Sequence, residues 1–294
     1  MRPSPHATSR LRVFALTLAA ILASPLMDEA AAADPDIVAA GDIACPEPCR
    51  AQRQTARLIR AIRPNAVLTL GDNQYPDGRF ADFMDSYHRT WGRFKRRTHP
   101  SPGNHEYNIP RARGYFRYFG RRAHRRSGGT YDVDIERWHI VSINSGNGIS
   151  RRDLGRVRRS LRNDRRRCEL AYWHHQRWSS GTVHGSNPDM GRLWRLLFRH
   201  GVDVVLNGHE HLYERFRLMN PSGRPARRSG IRQFTVGTGG RSLYTAGPPI
   251  RGSQKVIDGR FGVLRLVLHP RSYSWRYVAV GGQVLDRGRR ACHR

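Results

Sequence analysis

Five short polar clusters follow apolar runs along the chain: Gly41-Asp42, Gly71-Asp72-Asn73-Gln74-Tyr75, Gly103-Asn104-His105-Glu106, Trp173-His174-His175 and Gly208-His209-Glu210-His211. Carboxylate, imidazole, amide carbonyl and phenolate are donors that hard and borderline metal ions accept. Set at the ends of strands, they can converge on one point, and together they read as a dinuclear metal centre. Asp72 has two oxygens and can bridge two cations; a pair ~3.5 to 4 Å apart clamps the attacking and leaving oxygens of a phosphoryl group. Water held by such ions loses its proton near neutral pH, so no serine or cysteine nucleophile is required. A phenol of pKa near ~10 becomes a ligand only if the metal offsets deprotonation, so Tyr75 favours a trivalent ion such as ferric iron.

Each cluster alone has an ordinary explanation. A Gly-Asp pair after a strand is a turn, and a tyrosine packs in a core or on a surface. His209 and His211 are sharper, because residues two apart share one face of an extended segment. It is the conjunction of all five that points to chemistry.

The elements that must position these residues are readable from periodicity. Residues 37–40, 66–70, 170–173 and 202–206 read as strands, and 50–62 and 190–200 as helices. Segments 231–236, 261–268 and 273–280 suggest a second sheet, the last two joined by a turn at His269-Pro270-Arg271. The polar clusters fall where strands end, the usual place for ligands in open α/β sheets. Segments 121–129 and 219–230, rich in Arg, Gly, Ser and Pro, read as surface loops.

Arg10 and Arg12 precede an apolar stretch from Val13 to Met27, and Ala31-Ala32-Ala33 offers small residues before Asp34. Residues 1–33 therefore read as a signal peptide, with a secreted or extracytoplasmic mature chain. The apolar stretch is shorter than the ~20 residues of a bilayer span and contains Pro25, so no membrane span is expected. Export makes the four cysteines disulfide candidates, with three possible pairings. Cys45 with Cys49 would stiffen the first cluster, and Cys168 with Cys292 would pin the C-terminal segment.

The chain has 294 residues, 38% hydrophobic, enough for one sizeable core in residues 34–294. With 52 basic and 23 acidic residues its formal net charge is +29, and only Lys95 and Lys255 are lysines. Such a field attracts phosphorylated molecules and can bind polyanions weakly, an effect that salt would weaken. Along 151–167, Leu154, Val157 and Leu161 recur at helical spacing among arginines, which reads as a packed helix with a solvated basic face. No aromatic interleaving marks a specific nucleic-acid module.

The order G-D, G-D-x-x-Y, G-N-H-E, a strand-end His and G-H-x-H resembles the calcineurin-like metallophosphoesterases, and within them the purple acid phosphatase branch. The general superfamily has D-x-H in its first motif, whereas Asp42 is followed by Ile43-Ala44. Tyr75 stands in for that missing histidine, as in the purple acid branch, and the Tyr213-Glu214-Arg215 run also looks like it. Ala44 departs from the glycine usual there. The first motif starts within ten residues of the expected mature terminus, leaving no room for the extra β domain of the large enzymes.

The resemblance implies an α/β fold, a four-layer α/β/β/α sandwich of two mixed sheets with flanking helices. It implies that Asp42, Asp72, Tyr75 and His211 bind Fe3+, and that Asp72, Asn104, His174 and His209 bind a divalent ion, Fe2+, Zn2+ or Mn2+. His105 would stabilise or protonate the leaving oxygen, with Glu106 orienting it, and His184 would contact phosphate. Strand alternation would turn His175 away from the metals, if the strand extends that far. The activity implied is hydrolysis of phosphorylated small molecules, organic phosphomonoesters, by a metal-bound hydroxide. Two alternatives stay open: a phosphodiesterase or nucleotidase with the same centre, and a polyanion-binding surface protein with a structural metal site.

Overall fold

A computed structural model describes Met1 and residues 33–164, 166 and 168–293. The leader expected over residues 1–33 lies outside the described residues but for its two ends. Asp34–Arg294 forms one compact unit.

Apolar runs form the central strands, such as Asp36–Ala40, Ala66–Leu70 and Val204–Asn207. In chain order the strands are β1 (Asp36–Ala40), β2 (Ala66–Leu70), β3 (Thr98–Ser101), β4 (Tyr131–Ile135), β5 (Trp138–Ser142), β6 (Cys168–Tyr172) and β7 (Val204–Asn207). Then follow β8 (Tyr213–Met219), β9 (Ile231–Val236), β10 (Ser253–Ile257), β11 (Gly262–His269), β12 (Ser272–Ala279) and β13 (Val284–Ala291). The α-helices are α1 (Arg50–Ile62), α2 (Phe80–Asp85), α3 (Arg113–Phe119), α4 (Arg151–Asn163) and α5 (Gly191–His200).

The strands make two mixed sheets, one of six in the order β13-β12-β11-β1-β2-β3 and one of seven in the order β10-β8-β9-β7-β6-β5-β4. In the first, β1, β2 and β3 are parallel; in the second, β5, β6, β7 and β9 are. Period-two alternation divides the second sheet between two cores. Cys168, Leu170 and Tyr172 of β6 join Ile37, Leu68 and Leu266 of the first sheet between the layers. Ala171 and Trp173 face the other way, onto Val157, Leu161, Trp194 and Leu197 of α4 and α5. This is the expected α/β/β/α sandwich.

The helices follow from their local sequence. α1 buries Gln52, Thr55, Ala56 and Ile59 along one stripe. Gln52 is not an idle polar residue: it accepts from the Cys45 amide at 3.1 Å and donates to Thr90 at 2.7 Å, tying the first-motif loop to the helix. α4 starts at a capping box, Ser150 and Asp153 exchanging bonds, and buries Val157 and Leu161 as its periodicity predicts. It ends at Asn163, four residues short of the expected 167. Both expected disulfides are present, Cys45–Cys49 and Cys168–Cys292. Among the described residues no helix is long and apolar enough to cross a membrane.

Candidate metal centre

The carboxyl ends of the parallel strands of both sheets point to one place. The Gly41 amide at the end of β1 donates to the Val236 carbonyl at the end of β9 (2.9 Å), so the two sheets are stitched together there. Asp42 N–H donates to Gly71 O (3.1 Å) and Gly208 N–H to His174 O (3.0 Å), linking the motif loops directly. Three of the residues that turn into this space, Asp42, Asp72 and His209, have left-handed backbone with φ of 59°, 47° and 71°. Each such non-glycine residue costs ~1–3 kcal/mol, and strain of this kind concentrates at functional sites. Glycine is required where loops close on one another. A Cβ on Gly71 would lie 2.6 Å from His174 Cβ, and one on Gly103 only 2.1 Å from Asp72 Oδ1.

All seven expected ligand residues come together, in two groups that share Asp72. In the first, Tyr75 Oη lies 3.1 Å from Asp42 Oδ1, 2.9 Å from Asp72 Oδ2 and 3.1 Å from His211 Nε2. His211 Nε2 is 3.2 Å from Asp42 Oδ1. In the second, His174 Nε2 lies 3.3 Å from Asp72 Oδ2, 3.0 Å from Asn104 Oδ1 and 3.1 Å from His209 Nδ1. Ligand atoms ~2.1 Å from one ion and 90–110° apart sit ~3.0–3.4 Å from each other, the size of these spacings, and Asp72, His174 and His209 all bring ligand atoms within 4.8 Å of one another.

The surrounding hydrogen bonds orient the donors. His174 Nδ1 donates to the Leu70 carbonyl (2.9 Å), which turns Nε2 toward Asp72. His211 Nδ1 is held by Ser242 Oγ at 2.8 Å, which does the same for its Nε2. The second oxygen of Asp42 accepts the His209 amide (2.9 Å), and Asp72 Oδ1 accepts the His105 amide (2.9 Å).

Electrostatics show what the donors lack. Burial and then the carboxylates of Asp72 and Asp42 push the Tyr75 phenol well above its usual range. For Asp72, burial acts upward but His174 and His105 outweigh it, holding the carboxyl well below the usual range. His174 is the reverse case: burial acts downward, Asp72 wins, and the imidazole is pushed up to about 9. Burial and the neighbouring histidines drive His209 well down. The upward shift of His174 reflects the carboxylates that face it, at the position a cation would fill.

His105 and His184 flank this group. His105 Nδ1 donates to the Pro76 carbonyl at 2.5 Å, and its Nε2 is 3.8 Å from Asp72 Oδ2. The His184 ring stacks on His209 with centroids 3.9 Å apart. One expectation needs correction. Glu106 does not orient His105: its carboxylate accepts the amides of Asn73 (2.8 Å), Gln74 (3.2 Å) and Gly103 (2.6 Å), bracing the second and third motif loops. The orientation of His175 is open in the sequence: β6 stops at Tyr172, the His175 ring centroid is 4.4 Å from that of His209, and Ser145 Oγ is 2.9 Å from Nδ1.

Sequence reading missed Glu210, whose carboxylate accepts the amides of Val183 (3.2 Å), His184 (2.9 Å) and Gly185 (3.0 Å) and so fixes the His184 loop. It also missed the loop after β9. Tyr244 stacks on His211 at 4.0 Å, and the Arg241 guanidinium lies 5.1 Å over the Tyr75 ring. Gly237-Thr238-Gly239-Gly240 directly after an apolar strand was the available signal, of the same kind as the other five.

The sequence pattern of the calcineurin-like phosphoesterases matches residues 35–213, and the chain belongs to that family. Curated proteins give no match. Among solved structures, purple acid phosphatase PPD1 from yellow lupin (Lupinus luteus) seeds is 18% identical with a TM-score of 0.65. That likeness covers 87% of this chain and 53% of that one, so this chain spans about half the length of the lupin protein. GAP50, the anchor in the inner membrane complex of Plasmodium, is 12% identical with a TM-score of 0.66, over 89% of this chain and 90% of that one. PhoD is 10% identical with a TM-score of 0.57, over 88% and 68%. At these identities the likeness is one of fold. An enzyme and an anchor share that fold, so activity has to be argued from the site.

Proposed function

We propose that this chain is an exported phosphomonoesterase of the purple acid phosphatase type, acting on phosphorylated small molecules through two metal ions. The observation that carries this reading is the Asp72 carboxylate lying within 3.3 Å of donors from both groups. In this reading Asp42, Asp72, Tyr75 and His211 hold Fe3+, and Asp72, Asn104, His174 and His209 hold Fe2+, Zn2+ or Mn2+. When bound, such a pair supplies Lewis acidity and a water ionised near neutral pH.

The chain's own groups do the rest. His105 Nδ1 spends its proton on Pro76, so only Nε2 is left to face a substrate, and in the imidazolium form it can donate to the leaving oxygen. His184, carried on a loop that Glu210 anchors, meets a phosphoryl oxygen. The ester P–O bond breaks, the leaving oxygen takes a proton, and the oxygen of water ends on phosphorus, giving inorganic phosphate and an alcohol. Residues 1–33 act as the export signal, and two disulfides in residues 34–294 suit an oxidising compartment.

Purified protein is expected to show a visible phenolate-to-ferric absorption that Tyr75→Phe removes, and to hydrolyse 4-nitrophenyl phosphate faster than bis(4-nitrophenyl) phosphate. A colourless, zinc-loaded active protein would contradict the iron assignment. The opposite substrate preference would replace the monoesterase reading by a phosphodiesterase.

A further inference from the structure

A cavity of about 590 Å³ opens beside the candidate metal centre, between the 145–149 loop and the start of α5. One of its walls is His175, whose ring reaches to 4.4 Å from that of His209. The cavity therefore adjoins the candidate metal centre across the His175 ring. Ile149 and Met190 give it an apolar part. Arg192 and Arg195 also line it, three residues apart and thus on one face of α5.

Like most of the described arginines, these two are not ion-paired, whereas Arg166 and Arg215 are. Asp189 is the acidic residue of the cavity lining, so the cationic groups there outnumber it. Arg195 also crowds a third guanidinium: Arg177 is lowered by burial and then by the charge of Arg195. Beyond them the same pair borders a depression with Arg158 and Arg199, and no acidic residue lines that one. Cations in excess of the one nearby carboxylate, beside a candidate reaction centre, favour an anion.

We propose that this cavity receives the leaving group of the substrate, and that Arg192 and Arg195 bind a second anionic group on it, a phosphate or a carboxylate. The preferred substrates are then esters carrying two separated anions, such as bisphosphates, rather than simple monoesters. This rests on the phosphoesterase reading above and adds the substrate class. Each solvent-exposed guanidinium contributes modestly, so the pair is expected to favour such substrates by about tenfold, corresponding to about 1.4 kcal/mol.

The test compares kcat/KM for alkanediol bisphosphates with that for alkyl monophosphates of the same length, at low salt. Wild-type protein is expected to give a ratio of about ten, and Arg192→Ala/Arg195→Ala a ratio near one. Arg53→Ala/Arg57→Ala on α1 removes equal charge elsewhere and is expected to keep the ratio. The proposal is overturned if the α5 variant keeps the preference, or if the α1 variant loses it equally. A wild-type protein that hydrolyses monophosphates with no bisphosphate preference also overturns it and leaves the phosphoesterase reading standing. Hydrolysis of neither class overturns both.

Discussion

Two clusters in this molecule gather the same residue types and settle their charge in different ways. Asp72, His174 and His209 bring ligand atoms within 4.8 Å of one another, and so do Asp134, His139 and Asp164. In the second cluster Arg166 already balances the carboxylates: it donates to Asp134 at 2.9 Å and also pairs with Asp164. His139 is spoken for as well, with Asp134 3.0 Å from Nδ1 and Ser160 2.7 Å from Nε2. In the first, the ion-pair partners of Asp42 and Asp72 among the described residues are histidines alone. Aspartate and histidine in proximity do not by themselves make a metal site. What sets the first cluster apart is that its carboxylates are buried without a guanidinium or ammonium, at the ends of parallel strands.

The comparison is broken or sharpened by substitution in each cluster. The largest effect is expected for Asp72→Asn, which removes the shared carboxylate: kcat/KM for 4-nitrophenyl phosphate should fall by about 10³-fold or more. Asp134→Asn should stay within about twofold of wild type. Similar losses in both would erase the distinction.

Next is Ser242→Ala, which removes the partner of His211 Nδ1. Metal affinity, read by competition with a chelator, should drop by about 10–100-fold with the fold retained by circular dichroism. Arg166→Ala leaves the Asp164 carboxylate, only 3% exposed, without its counter-ion. A loss of about 1–2 kcal/mol in urea unfolding is expected, with metal content unchanged.

A pH effect outside both clusters gives their background. His99 in β3 is lowered to about 4 by burial and then by the charge of Arg122. Its folded pKa lies below the ordinary 6.5, so the unfolded chain binds more protons between the two values. The stability held above pH 6.5 is therefore lost as pH falls from about 6.5 toward 4. Thermal melts across that window should show it, and His99→Gln should flatten the slope; an unchanged slope would remove His99 as its source.

How far the sequence could be read varied with the physics of each part. Strands buried on both faces, such as β2 and β7, announce themselves as apolar runs, and the glycines after them mark where the backbone must turn sharply. That combination marked the five motif loops; the seven expected ligand residues and the two histidines beside them were implied by the resemblance, and the structure brings them together. Edge strands carry no such pattern. β13, Val-Leu-Asp-Arg-Gly-Arg-Arg-Ala, is mostly exposed and was missed, as were β10 and the short α2 and α3. Glu106 and Glu210 sit inside the motifs, but their carboxylates serve backbone amides across other loops, and no local pattern reveals a partner 33 or 26 residues away. Ser242 and Tyr244 were missed because they follow a strand of the second sheet whose end meets the first only in three dimensions.

Sharing of Asp72 by two cations is tested most directly by metal content per chain, measured by inductively coupled plasma mass spectrometry alongside hydrolysis. Wild-type protein is expected to hold about two ions and Asp72→Asn fewer than one, with activity lost in step. A chelator-treated, metal-free protein that still hydrolyses phosphate esters at the untreated rate would contradict it.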